Sequence, residues 1–408
     1  TMCFPNSLAP VQAPESSVLD PSDINDCTWL DSYEKQFLSL GVSNAFIEMF
    51  KVETVFDERF DRVLATERQN WLDSWAQSGA NQASLVQLLW NISELMYVRI
   101  RRAKMSFHAQ DSSQPLKDRH NEVVKDWRIV CVLGNIGLHF AHYLAPDQME
   151  ANVQLLSKVQ TLYAVALGYL GRFDESTRRF NEAHALIVTT LGATAMNTLS
   201  RVHIRRAETL IWRARLRIEE YSGVINGSSQ PQSAEMRQSV RNVVVCCDDA
   251  WAALERAQIG MGPNKTTSSY WWYRLIACKL SCLATLAHLF CVQQTNEETD
   301  WDECMTSLAF RRRRDMRNYL LDLLRDGLMI AKDDDFRSLR IIDYFSEARI
   351  FCRESNLSEW EELAGDKPLG RRLRDALCNG GVGYYRNSYR NHLRNRAALV
   401  SFSIGIKI

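Results

Sequence analysis

The chain is poor in the residues that interrupt helices. Its 408 residues include 9 prolines and 18 glycines. It also lacks any sustained alternation of apolar and polar residues, the period-two mark of a half-buried strand. With 46% apolar residues and so few breakers, an all-α fold is expected. Nor is there an excess of charge of either sign: Lys plus Arg and Asp plus Glu each number 49. No net field therefore pulls the whole molecule toward nucleic acid or an anionic membrane, and an electrostatic partner must be met locally. Uninterrupted apolar runs of the roughly 20 residues that a membrane span needs are missing too. Ile129 to Ala145 is broken by Asn135, His139 and His142, and Tyr270 to Val292 contains Arg274 and Lys279, so both read as buried core helices with no membrane span. The opening stretch TMCFPNSLAPVQAPESS has neither a basic leader nor a long apolar segment, unlike a secretory signal. The 11 cysteines fall mostly inside apolar helical patterns, where cysteine acts as a small hydrophobe. Together these features point to a reducing, intracellular setting, cytoplasmic or nuclear.

Familiar catalytic signatures are missing. There is no GxxxxGK[ST], GxSxG or HExxH, and Gly380-Gly381-Val382-Gly383 has no preceding strand and reads as a loop. Cys278, Cys282, His288 and Cys291 look at first like a metal set. At about 100° per residue they spread over half the circumference of one helix, so a single tetrahedral ion could not collect all four from it. His139 and His142 would need a ligand from a second helix. Cys246 and Cys247, being adjacent, are not expected to face one core. Asp248-Asp249 and Asp333-Asp334-Asp335 invite a metal-dependent enzyme reading, because magnesium takes several oxygens in near-octahedral order. Neither has the DDxxD arrangement of an all-α diphosphate-binding synthase, and a helix surface and a capped turn account for them. No catalytic residue, metal or cofactor is assigned.

What the sequence does contain is one well-formed unit, LLSKVQTLYAVALGYLGRFDESTRRFNEAHALIVTT, from Leu155 to Thr190. Leu155, Val159, Leu162, Tyr163, Ala166 and Leu167 repeat at the three- and four-residue spacing of a helical stripe. Gly171 then breaks the pattern, and Phe173, Ser176, Phe180, Ala183 and Ile187 mark a second helix. The succession Gly171, Phe173, Ser176, Phe180, Ala183 resembles the helix-turn-helix unit of the tetratricopeptide repeat, TPR. It departs from that pattern in lacking an early tryptophan and a closing proline, and in placing Ser176 where alanine is usual. The resemblance implies an α-solenoid of antiparallel helix pairs.

The rest of the chain is organised around this unit. Residues 1–25, with Pro5, Pro10, Pro14 and Pro21, read as a disordered leader. Residues 26–110 read as an N-terminal helical subdomain rich in aromatics, from Trp29 and Tyr33 to Trp71 and Trp75. Residues 116–353 are expected to form the TPR-like array, with Gly134 and Gly137 allowing close helix approach. Ser222 to Ser233, SGVINGSSQPQS, is expected to be a loop. Ala250, Leu254 and Ala257, spaced as Ser176, Phe180 and Ala183 are, suggest a second copy about two repeat lengths on. Residues 354–408 read as a helical, basic tail in which Tyr384, Tyr385, Arg386, Tyr389, Arg390 and Arg394 interleave rings with charge.

The segment Asn197 to Tyr221 carries a narrow stripe, Ile204, Ala207, Ile211, Ala214 and Ile218, beside many arginines. Arg201, Arg205, Arg206, Arg213 and Arg217 are the candidate partner-binding residues, with Arg206, Arg213 and Arg217 on one side of the helix. Further clusters are Arg99, Arg101, Arg102 and Lys104, and Arg311 to Arg314 with Arg317. Repeat solenoids bind along a concave face, and arginines there suit an acidic or phosphorylated protein segment. Pairing with Glu208, Glu219 or Glu220 is the plainer use of the same side chains. The expected function is a non-catalytic protein–protein interaction scaffold, or a sensing region of a larger assembly. Nucleic-acid binding through the arginines and the tail is the alternative.

Overall fold

A computed structural model describes residues 82–109, 116–192, 195–227, 233–262, 269–293 and 313–331, together with Ile341, Tyr344, Phe345 and Ala348. Nearly all of these are helical and none lies in a strand. The helices are α1 (Gln82–Ala109), α2 (Leu116–Asn121), α3 (Val124–Ala141), α4 (Pro146–Ala151) and α5 (Val153–Tyr169). Then follow α6 (Phe173–Leu191), α7 (Met196–Gly227), α8 (Ser233–Met261), α9 (Ser269–Gln293) and α10 (Arg313–Ala331). The aromatic run Trp29 to Trp75, Asp333 to Asp335 and the basic tail lie outside the described residues, as do the side chains of Arg101, Arg102 and Arg311 to Arg314.

The unit read from sequence forms as a helix pair. Gly171 sits at φ 81°, a left-handed conformation that costs glycine nothing, and turns the chain between α5 and α6. The Arg172 N–H bonds the Leu167 carbonyl at 2.9 Å to close the turn. Across the pair, the buried Ser176 hydroxyl donates to the Ala164 carbonyl at 2.7 Å. The serine that replaces the expected alanine is thus small enough for the contact and supplies a hydrogen bond within it. Phe180, Ala183 and Ile187 complete the buried stripe of α6.

Small residues set the close approaches between neighbouring helices. A methyl group at Gly168 of α5 would fall 2.0 Å from Thr209 Cγ2 of α7, and one at Gly134 of α3 would fall 2.6 Å from Tyr163 Cβ of α5. α7 and α8 make the most extensive pairing among the described helices. They run antiparallel, with the Ser200 hydroxyl donating to the Ala257 carbonyl at 3.0 Å and Gly260 against Met196 and Ser200. Ala250, Leu254 and Ala257, the echo of the first unit, are fully buried. α9 packs on both α7 and α8, and α10 packs on α9.

α7 joins two apolar clusters. Its stripe Ile204, Ala207, Ile211, Ala214 and Ile218 belongs to the core built with α8, α9 and α10. Leu199, Val202 and Trp212 belong instead to the core of α1, α3, α5 and α6. Burying each large apolar side chain contributes about 1.5–3 kcal/mol, so a helix that feeds two cores is strongly anchored.

Two expectations are corrected. The loop expected over residues 222–233 is helical through Gly227, and α8 begins at Ser233; no proline interrupts the chain until Pro231, so nothing stops α7 earlier. Cys246 and Cys247 are both buried in the same cluster. This is accommodated because α8 is covered on two sides, Cys246 lying near Arg213 and Arg217 of α7 and Cys247 accepting a contact from Cys282 of α9. Among the described residues no helix is long and apolar enough to cross a membrane.

Candidate functional site

Three rows run along α7. The apolar stripe is one. A second, Arg201, Arg205, Glu208, Trp212 and Arg215, recurs at the four- and three-residue steps that keep side chains on one face; its arginines meet α9 and Trp212 meets α1 and α5. The third is Arg206, Arg213 and Arg217. The five arginines singled out from sequence are therefore divided between two faces.

Glu208 is the centre of the second row. Its Oε2 accepts from Lys104 Nζ of α1 at 2.8 Å, and its Oε1 accepts from Arg274 of α9 and lies 3.7 Å from the Cys278 Sγ. Burial alone would raise this carboxyl, but Arg274 and Lys104 outweigh it and hold Glu208 well below the usual carboxylate range. Burial opposes the charge on Arg274 too, and Glu208 again reverses the balance, so the guanidinium is held more firmly protonated. Arg205 is only 7% exposed. Burial first, then repulsion from Arg274, brings its pKa down to about 10, so it stays charged at neutral pH. Arg201, Arg205 and Arg274 surround the Trp271 ring at 5.5, 5.7 and 5.1 Å from its centroid, within cation–π range. Arg215 donates through Nε to Thr285 Oγ1 at 3.0 Å and through its terminal nitrogen to Ser281 Oγ at 3.2 Å.

Beside Glu208 lies a cavity of about 60 Å³ lined by residues of α1, α2, α3, α5, α7 and α9 and by Tyr344. Its aromatic wall is continuous. Trp127 stacks on Tyr169 at 4.1 Å, Tyr169 on Trp212 at 4.9 Å, and Phe107 meets Trp212 edge-on at 5.3 Å. Lys104 stands over Tyr169 at 5.6 Å. A hydrogen bond to the Tyr169 backbone orients His120 while burial lowers its pKa, so the ring is neutral near pH 7. Trp127 and Trp212 are 1% and 4% exposed. Their Nε1 atoms, and Nδ1 of His120, are buried and have no hydrogen-bond partner among the described residues.

The third row faces α6 and α8. Arg206 donates to Asn181 Oδ1 at 3.0 Å, and Arg213 lies over Phe173 at 4.8 Å, its Nε buried and without a hydrogen-bond partner among the described residues. Arg217 is half-buried. His203 lies nearby, 5.5 Å from His184 ring to ring. Burial, then Arg256, His184 and Arg206, lower its pKa to about 4.

Other sequence candidates are dispersed. Arg99 is not part of a surface cluster but is buried against Asp126 at 3.1 Å. Cys278 turns to Glu208, Cys282 to the Cys247 carbonyl, and His288 is exposed. His139 is buried whereas His142 is exposed. No three metal-ligating side chains converge among the described residues. Sequence reasoning missed Glu208, Trp212, Lys104, Arg274, Trp127 and Tyr169 as one constellation. The spacing of Arg201, Arg205, Glu208, Trp212 and Arg215 was a readable signal, but the partners from α1, α3 and α9 become neighbours only on folding.

The chain matches no protein-family model, no curated protein and no solved structure. The functional reading therefore rests on this site's own chemistry.

Proposed function

We propose that the chain is a non-catalytic interaction scaffold, or the sensing region of a larger assembly, built as a TPR-like array that takes an acidic or phosphorylated protein segment on the face where α1, α5, α7 and α9 meet. The observation that carries this reading is the gathering of Arg201, Arg205 and Arg274 around Trp271 and of Lys104 over Tyr169, with Glu208 between them and Arg215 lining the same cavity. Guanidinium groups recognise carboxylates and phosphates through directed hydrogen bonds. Aromatic faces beside them add apolar contact at low entropic cost. The order of helices supports the array: α5 pairs with α6, α7 with α8, and α5, α7 and α9 are successive neighbours.

The test is fluorescence anisotropy of the intact chain with a labelled acidic peptide, its phosphorylated form and a single-stranded oligonucleotide. The expected outcome is peptide binding weakened about tenfold or more by Arg201→Glu and little affected by Arg206→Glu. Equal loss in both variants would remove the assignment of the face. Preference for the oligonucleotide, with a steep salt dependence, would favour nucleic acid instead.

A further inference from the structure

Arg205 of α7 is a buried cation that the fold leaves without an ion-pair partner. It is 7% exposed, yet among the described residues its guanidinium makes no hydrogen bond and no ion pair, and what it faces is the Trp271 ring, 5.7 Å away. Acceptors nearby are engaged elsewhere. Both oxygens of Glu208 are taken by Lys104 and Arg274, and the phenols of Tyr97 and Tyr270 hydrogen-bond to each other. A buried charge without a partner is costly, and an indole face compensates it less than a carboxylate does. Losing the proton is no escape, because Arg205 stays charged at neutral pH. Its neighbours add to the imbalance: Arg274 repels it and Arg201 shares the same ring. None of the Arg205 nitrogens is shut off from solvent, so an incoming oxygen can reach them.

We propose that Arg205 is the specificity-determining residue of this face and binds one phosphoryl group through its guanidinium fork, so that the segment recognised is phosphorylated and not merely acidic. The inference rests on the proposed recognition of a protein segment at this face and names the group that is read. The number of oxygens decides between the head groups. A carboxylate has two, and one guanidinium fork takes both. A phosphoryl group has three and carries about two negative charges near pH 7. It can therefore meet Arg205 and still offer an oxygen to Arg201 or Arg274 at the same ring. Burial increases inward in a matching order, with Arg201 exposed, Trp271 and Arg274 half-buried and Arg205 buried. A side chain passing Arg201 thus brings its head group to Arg205 while its backbone stays at the surface. The fork matters as well as the charge, since an ammonium in its place would offer a point charge and no bidentate pair.

The experiment uses the intact chain and its Arg205→Met, Arg205→Lys and Arg206→Gln variants. The probes are peptide libraries fixed at a central phosphoserine, phosphothreonine or phosphotyrosine, the same libraries with glutamate or the plain hydroxyl residue, a single-stranded oligonucleotide, and inorganic phosphate alone. Calorimetric titration gives the affinity of the best-bound sequence, and thermal unfolding follows the free chain. The expected result is a phosphorylated peptide bound at least about tenfold more tightly than its glutamate form, a preference lost in Arg205→Met, weakened in Arg205→Lys and kept in Arg206→Gln. Because Arg205 is unpaired, Arg205→Met should leave the melting temperature of the free chain unchanged or raised, and phosphate should raise it only where Arg205 is present. Glutamate and phosphorylated peptides bound equally, with no effect of Arg205→Met, would overturn the phosphoryl assignment and leave the scaffold reading standing. Arg205-dependent stabilisation by phosphate with no peptide bound would support the site and count against that reading. A lowered melting temperature in Arg205→Met, with phosphate without effect on either chain, would make Arg205 a packing residue and overturn the proposal. Tighter binding of the oligonucleotide than of any phosphopeptide would likewise overturn it.

Discussion

The residue that holds most of the site together is Glu208. It receives Lys104 from α1 and Arg274 from α9, so one carboxylate ties three helices. Removing one member of a buried ion pair leaves the other charges uncompensated, at a cost of about 3–5 kcal/mol. Glu208→Gln is therefore expected to lower unfolding free energy by about that amount in urea titrations. Lys158→Ala, which breaks the more exposed pair with Glu94, should cost no more than about 1 kcal/mol. His203 provides a pH dependence with a definite sign. The folded chain depresses its pKa from 6.5 to about 4, so below 6.5 the unfolded state binds the proton more readily. Its contribution to stability is complete above pH 6.5 and is lost as pH falls toward 4. Lowering the pH from 7 to about 5 should cost on the order of 2 kcal/mol from this group. His203→Gln should flatten that part of the stability profile measured by thermal unfolding.

At the scale of elements, close packing of α5 against α7 depends on Gly168. Gly168→Ala would drive a methyl group into Thr209, and overpacking of this kind costs about 1–3 kcal/mol. Pairing it with Thr209→Ala should recover part of the loss, and a double-mutant cycle measures the coupling. The same elements show what a sequence can and cannot reveal. The α5–α6 pair was legible because stripe, breaking glycine and small residues are all local signals. The tight contacts of Gly134 with Tyr163 agree with the close approach expected at that glycine. The far end of α7 was misread, because SGVING has turn-forming composition yet no proline to end a helix already anchored in two cores. Cys246 and Cys247 were misread for a related reason: adjacency excludes one shared direction, not burial against two neighbours.

For the molecule as a whole, the all-α class was written in the scarcity of breakers and the apolar spacing, and the described residues are helical throughout most of their length. The site was only half legible. Sequence alone drew attention to the arginines of α7, but Arg201 and Arg205 look toward Trp271 while Arg206 and Arg213 look toward α6. Which charges share a face with Trp127, Lys104 and Arg274 is decided by contacts far apart in the chain. The measurement that tests the central claim most directly is hydrogen exchange of the intact chain with and without a saturating acidic or phosphorylated peptide. The account predicts added protection across Val202 to Arg215 of α7 and Trp271 to Ser281 of α9, with α6 unchanged. Protection confined to α6 around Asn181, or to segments remote from α7 and α9, would contradict it.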